Sequence, residues 1–207
     1  QSGYARVSFV RDLPDGRRFV NDSRGVLYLL DETNSPTVYW NFHSDVPFGV
    51  YNRLESGFIG FDFHPDFANN GLLYTVHSET AVGNPMTPHF IPPGFTPEQV
   101  TYHNVFTEWR VARPAANTFD GSRRELLRVA HIVDTLTHPM GFVGFNPTAT
   151  PGSEDYGLIY TSGSDLGFSN GAGAHAKNPG QTQRLDSVIT AILRIDPRSP
   201  SESGGTK

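Results

Sequence analysis

Short apolar and aromatic runs, bounded by Gly, Pro, Asn and Asp, recur from one end of the chain to the other. "ARVSFV", "RRFVND", "GVLYLLD" and "TVYWNF" come first, then "GFIGFDF", "GLLYTVH", "NVFTEWRV" and "ELLRVAHI", and finally "GFVGFN", "GLIYTSG" and "VITAILRI". Each has the length of a strand and its β-branched or aromatic content. No stretch of 12 residues or more shows the 3.6-residue periodicity of an amphipathic helix. The segment "TPEQV", 96 to 100, predicts one helical turn, with Thr96 as its cap and Glu98 in its first turn. The pattern predicts an all-β fold.

The pattern also repeats. "GFIGF" at 57 returns as "GFVGF" at 141, and "GLLYT" at 71 returns as "GLIYT" at 157; "GVLYLLD" at 25 is a third relative. Self-similarity on this scale means sheet modules arranged in series, and the four-stranded blades of a β-propeller fit it. Eleven strand candidates amount to about three blades, whereas closed propellers have about four to eight. The expectation is a partial β-propeller over residues 1–197, which needs the rest of its polypeptide or a partner chain. A Pro-rich interruption at 80–101 reads either as a surface loop or as a cap over the propeller face, since Phe90 and Phe95 are costly to leave in water. Residues 198–207 hold no apolar anchor and read as a linker or frayed tail.

Composition narrows the partners. A net charge of −5, with no basic run longer than two residues, argues against nucleic acid and against a membrane surface. No apolar run reaches the ~20 residues of a membrane span. The absence of cysteine removes disulfides, thiol catalysis and Cys-based zinc sites. The chain opens on Gln1, with no signal-peptide pattern, as a mature periplasmic or secreted protein would. Asn21-Asp22-Ser23 is a formal glycosylation sequon.

At "ESGFIGFDFHPDFANNGLLYTVHSE" the chain resembles the soluble PQQ-dependent sugar dehydrogenases, the glucose/sorbosone dehydrogenase group. The resemblance continues through "VFTEWRV", "RRELLRV", "THPMGFVGFNP", "YGLIYTSGSDLG" and "ILRIDP", over residues 15 to 197. It implies about the N-terminal half of a six-bladed propeller that oxidises a sugar or related alcohol with pyrroloquinoline quinone (PQQ) and calcium. The main ligands of both cofactors are then expected outside this chain. Two departures stand out. Pro139-Met140 follows His138 where the group has small polar residues, and Gly163-Ser164-Asp165-Leu166-Gly167 is one residue longer than the group's Gly-Asp-x-Gly.

The repeat sets Glu55 and Ser56 ahead of one inner strand and His138, Pro139 and Met140 ahead of its counterpart, so both stretches are expected at one channel mouth. Oxidising an alcohol requires removal of the hydroxyl proton, and imidazole, titrating at about 6.5, suits that task. His138 is therefore the candidate base; as a plain turn residue, Pro139 would hold it extended. Asp165 would orient the imidazole, or else serve only as an Asx-turn residue. Glu55 matches a cofactor- and substrate-pocket position on the resemblance, and otherwise reads as a solvated loop carboxylate. His64 in "FHPDF" reads as structural. His43, His77, His89, His103, His131 and His175 lack metal-ligand spacing, so no histidine metal site is expected. "GFSNGAGAHAKN", 167 to 178, lacks the context of a phosphate loop and reads as a rim loop. A non-catalytic propeller of the same ancestry, binding a ligand or a protein, is the alternative, and a calcium-dependent propeller hydrolase is a weaker third.

Overall fold

A computed structural model describes residues 4–53, 55–132, 138–168 and 180–203. Among these residues, eleven strands form three antiparallel sheets, each a meander in chain order. The first holds β1 (Val7–Asp12), β2 (Arg18–Asp22), β3 (Val26–Leu30) and β4 (Pro36–Trp40). The second holds β5 (Phe58–Phe63), β6 (Leu72–Thr80), β7 (Tyr102–Val111) and β8 (Gly121–His131). The third holds β9 (Phe142–Phe145), β10 (Ile159–Ser162) and β11 (Ile192–Ile195). Every predicted run overlaps one of these strands. Among the described residues the helices are single turns, and the turn at Pro97–Gln99 follows Thr96, whose N–H donates to the Gln99 side chain at 2.9 Å. The segment 167–178 lies largely, and His175 wholly, outside the described residues.

The second sheet is the middle layer. One face packs on the first sheet through Phe19, Trp40, Phe42, Phe58 and Trp109. The other packs on the third sheet through Val76, Phe106, Met140, Val143 and Ile159. Burial of this many aromatic and aliphatic side chains is the main force holding the layers together. The glycine repeat explains how closely β5 and β9 approach. A Cβ on Gly60 would stand 2.7 Å from the Gly141 carbonyl oxygen, so no other residue fits there without moving a strand. Asn21 is fully buried and ties the first sheet to the second: its carbonyl accepts the Phe9 N–H at 2.8 Å and its amide donates to the Phe58 carbonyl at 2.7 Å. The formal sequon is thus closed to glycosylation in the folded chain.

The Pro-rich segment is fixed against the second and third sheets. Phe90 bridges to Val129 of β8, Phe95 lies 5.4 Å from the Phe168 ring, and Gln181 donates to the Pro93 carbonyl at 2.9 Å. Phe168 comes three residues after Asp165, so the segment braces the loop that carries this carboxylate.

Candidate functional site

The strand pairing itself assembles the candidate residues. β9 and β10 pair antiparallel with Phe142 opposite Ser162, so the turn entering β9 lies beside the turn leaving β10. The first turn carries His138 and the second Asp165. β5 packs beside β9, which brings Glu55, just ahead of β5, to the same corner.

His138 is held at three atoms. Its N–H donates to Glu55 Oε2 at 2.8 Å, its carbonyl accepts the Ser164 hydroxyl, and its Nδ1 lies 2.7 Å from Asp165 Oδ1. An ionised carboxylate only accepts, so Nδ1 carries the proton in the neutral ring and Nε2 is the basic nitrogen. The His138 side chain is 36% exposed and that of Asp165 is 14% exposed. Asp165 Oδ1 also accepts the Gly167 N–H at 3.0 Å. The Asx turn and the histidine contact therefore coexist, and the lengthened Gly163–Gly167 loop does not turn the carboxylate away.

The backbone of His138 departs from the extended form that Pro139 would impose on a plain turn residue. Its φ is 56°, in the left-handed region. A non-glycine residue there costs about 1–3 kcal/mol, and such strain collects at functional sites. The next two residues explain how the turn is anchored. Met140 is buried at 1% exposure in the core between the second and third sheets, and its N–H donates to Asn104 Oδ1 at 3.2 Å. The Met140 side chain therefore points into the core rather than into a pocket. Ser164 and Asn104 are supports that sequence reasoning missed. Ser164 stands inside the quoted loop motif, whereas Asn104 lies in an unremarkable strand.

The ring stack Tyr51–Tyr102–His131, with centroids 4.6 and 4.1 Å apart, lies near the same corner. Burial, then the neighbouring Tyr51 and the Glu55 charge, push the Tyr102 phenol well above its usual range. His64 sits elsewhere: its Nδ1 accepts the Asp66 N–H at 2.9 Å and faces the Asn70 amide at 2.8 Å, pinning the turn between β5 and β6. Burial lowers its pKa.

A second group of charges was not foreseen. Arg128, fully buried, reaches Glu79 at 2.8 Å, Glu125 at 2.6 Å and His103 Nδ1 at 2.7 Å, and His77 Nε2 lies 3.1 Å from Glu79. Guanidinium only donates, so His103 Nδ1 is an unprotonated acceptor. Burial first, then the Arg128 charge, push His103 down to about 4. Burial would raise Glu79, but His77 and Arg128 hold it down at about 2.

Glu55, His138 and Asp165 bring two carboxylates and one imidazole to the same corner. Two carboxylates and an imidazole offer no cation to pair with the carboxylates of a quinone. Among the described residues no three His, Asp or Glu side chains gather as ligands for a metal ion. These residues thus do not by themselves make a seat for PQQ or calcium.

No family profile matches the chain, and no curated protein matches it in sequence. Its structure has close counterparts among sugar dehydrogenases. A Thermus thermophilus protein described as an oxidoreductase (glucose dehydrogenase) superposes with a TM-score of 0.62 at 20% identity, over 94% of this chain and 44% of its own. The PQQ-bound aldose sugar dehydrogenase of Streptomyces coelicolor gives 0.60 at 18% identity, over 94% and 46%. The soluble aldose sugar dehydrogenase of Escherichia coli, in its apo form, gives 0.62 at 14% identity, over 93% and 44%. The chain therefore has the all-β fold of these enzymes and spans less than half of their length. No helix among the described residues is long and apolar enough to cross a membrane.

Proposed function

We propose that this chain is three successive blades of a propeller dehydrogenase, periplasmic or secreted, that oxidises a sugar or related alcohol. His138 takes the hydroxyl proton on Nε2, Asp165 holds the ring in the tautomer that leaves Nε2 basic, and Glu55 lines the pocket. The observation that carries this reading is the partly exposed His138–Asp165 pair, closed at 2.7 Å where the two repeat modules meet. PQQ, bound in the Streptomyces coelicolor counterpart, would supply the electron-pair acceptor. Its holding residues, and those for calcium, belong in this reading to the rest of the propeller.

The test uses the full-length protein with PQQ, Ca²⁺ and a panel of aldoses, following the absorbance of the reduced quinone. Sugar-dependent reduction is expected, and His138→Gln should lower turnover about 10²–10⁴-fold while quinone binding persists. Turnover that survives the substitution removes His138 as the base. Neither quinone binding nor reduction with any aldose would leave a non-catalytic binding propeller as the reading.

A further inference from the structure

We propose that Glu55 and Asn104 are positioning residues, which hold the His138 turn in its left-handed conformation and so keep the imidazole facing Asp165. The inference rests on His138 being the base, and it gives Glu55 a task beyond lining a pocket.

The turn needs holding. His138 has a φ of 56° and precedes a proline, a context that favours extended backbone. What keeps it there arrives from outside its own hairpin. Glu55, from the turn before β5, accepts the His138 N–H at 2.8 Å through a charged oxygen at a solvent-exposed edge. Asn104, in β7, accepts the Met140 N–H at 3.2 Å, two residues on. Between these two fixed amides the backbone rotations left are those of His138 and Pro139, and the proline ring restricts its own φ.

The Asn104 amide also has a cost that points to this role. It is fully buried, and its Nδ2 has no hydrogen-bond partner among the described residues. A buried donor left unsatisfied is unfavourable, and an apolar residue in its place would avoid that cost. The carbonyl end of this amide is the part that the turn uses. Ser164, at the other end of the β9–β10 hairpin, completes the frame, donating to the His138 carbonyl while accepting the Leu166 N–H at 3.1 Å.

The experiment compares Glu55→Ala with Glu55→Gln in the full-length protein. Two quantities are read: amide hydrogen exchange at His138 by NMR, and kcat and KM for an aldose. Glu55→Ala should speed exchange at His138 and lower kcat, each by about 3–10-fold, the size of a lost hydrogen bond at a solvent-exposed site. KM should stay within about 3-fold. Glu55→Gln keeps an oxygen acceptor and should recover most of both losses. Asn104→Leu, which is apolar and loses the acceptor, should speed exchange at Met140, and unchanged exchange there overturns the role of Asn104. Unchanged His138 exchange in Glu55→Ala overturns the proposal, whatever happens to turnover. A raised KM in Glu55→Ala, with exchange unchanged, likewise overturns it and makes Glu55 a sugar ligand. Faster exchange in a protein that turns over no sugar supports the positioning role and sinks the dehydrogenase reading alone.

Discussion

Two histidine–carboxylate contacts stand among the described residues, His138–Asp165 at 2.7 Å and His77–Glu79 at 3.1 Å. The chemical groups match, but the settings do not. His77 and Glu79 are two residues apart on one regular strand, both wholly buried, and Glu79 is shared with Arg128. His138 and Asp165 come from two different turns, on a strained backbone, and the imidazole is partly open to solvent. A wholly buried pair with a guanidinium closing its far side can fix a sheet, but it has no face to offer a substrate. A pair assembled from turns can present one nitrogen outward while its other nitrogen is oriented. The distance between histidine and carboxylate is therefore a poor guide to function; burial and backbone origin separate the two roles.

The largest effect expected from breaking this contrast is on the exposed pair. Asp165→Asn removes the negative charge that holds the Nδ1 proton and stabilises the imidazolium, and its amide can turn a donor toward Nδ1 in place of an acceptor. Turnover in the full-length protein should fall about 10²–10⁴-fold with thermal stability nearly unchanged. A loss of folding that accounts for the lost activity would make the pair structural, like its buried counterpart.

The next effect is on the buried group and has the opposite signature. Arg128→Met removes the cation shared by Glu79 and Glu125 and leaves buried charge uncompensated. Stability, measured by denaturant unfolding, should drop by about 3–5 kcal/mol, while the molecules that remain folded keep their turnover. A drop below about 1 kcal/mol would mean that the cluster is far better hydrated than its burial implies.

The same contrast marks what could be read from the sequence. The strand runs were legible because each is short, apolar and bracketed by turn formers, and the repeat already set Glu55 and His138 at equivalent corners. The left-handed His138 was not legible, since the rule for a residue before proline points to extended backbone; contacts from three other segments override it. The Arg128 cluster was hidden for another reason. β6 and β7 are buried almost from end to end, and β8 over its last four residues from Arg128, so alternation of polar and apolar residues no longer reports which side faces water. "TVHSET" and "RELLRV" look like half-exposed strands, yet Glu79 and Arg128 lie inside. In β11, where exposure alternates, the ordinary pattern survives.

The smallest effect concerns acid. His103 is held near 4 in the folded chain, below the usual imidazole value of about 6.5, so the unfolded chain binds this proton first. Its contribution to stability is complete above about 6.5 and is lost as pH falls toward 4. His77, also lowered by burial, acts in the same direction, and Glu79 extends the loss as pH falls from about 4.5 to 2. Asp62 opposes them: burial pushes it up to about 6 against the pull of Arg11, so its effect favours the folded chain as pH falls through the same window. The absolute slope thus mixes signs, and the informative quantity is a difference between variants. Between about pH 7 and 5 the wild type should lose more stability than His103→Asn, by on the order of 1 kcal/mol. Equal slopes in urea unfolding at the two pH values would show that His103 accepts its proton without disturbing Arg128. In that case the cluster would tolerate a charge that its geometry, with a guanidinium donating to Nδ1, is built to exclude.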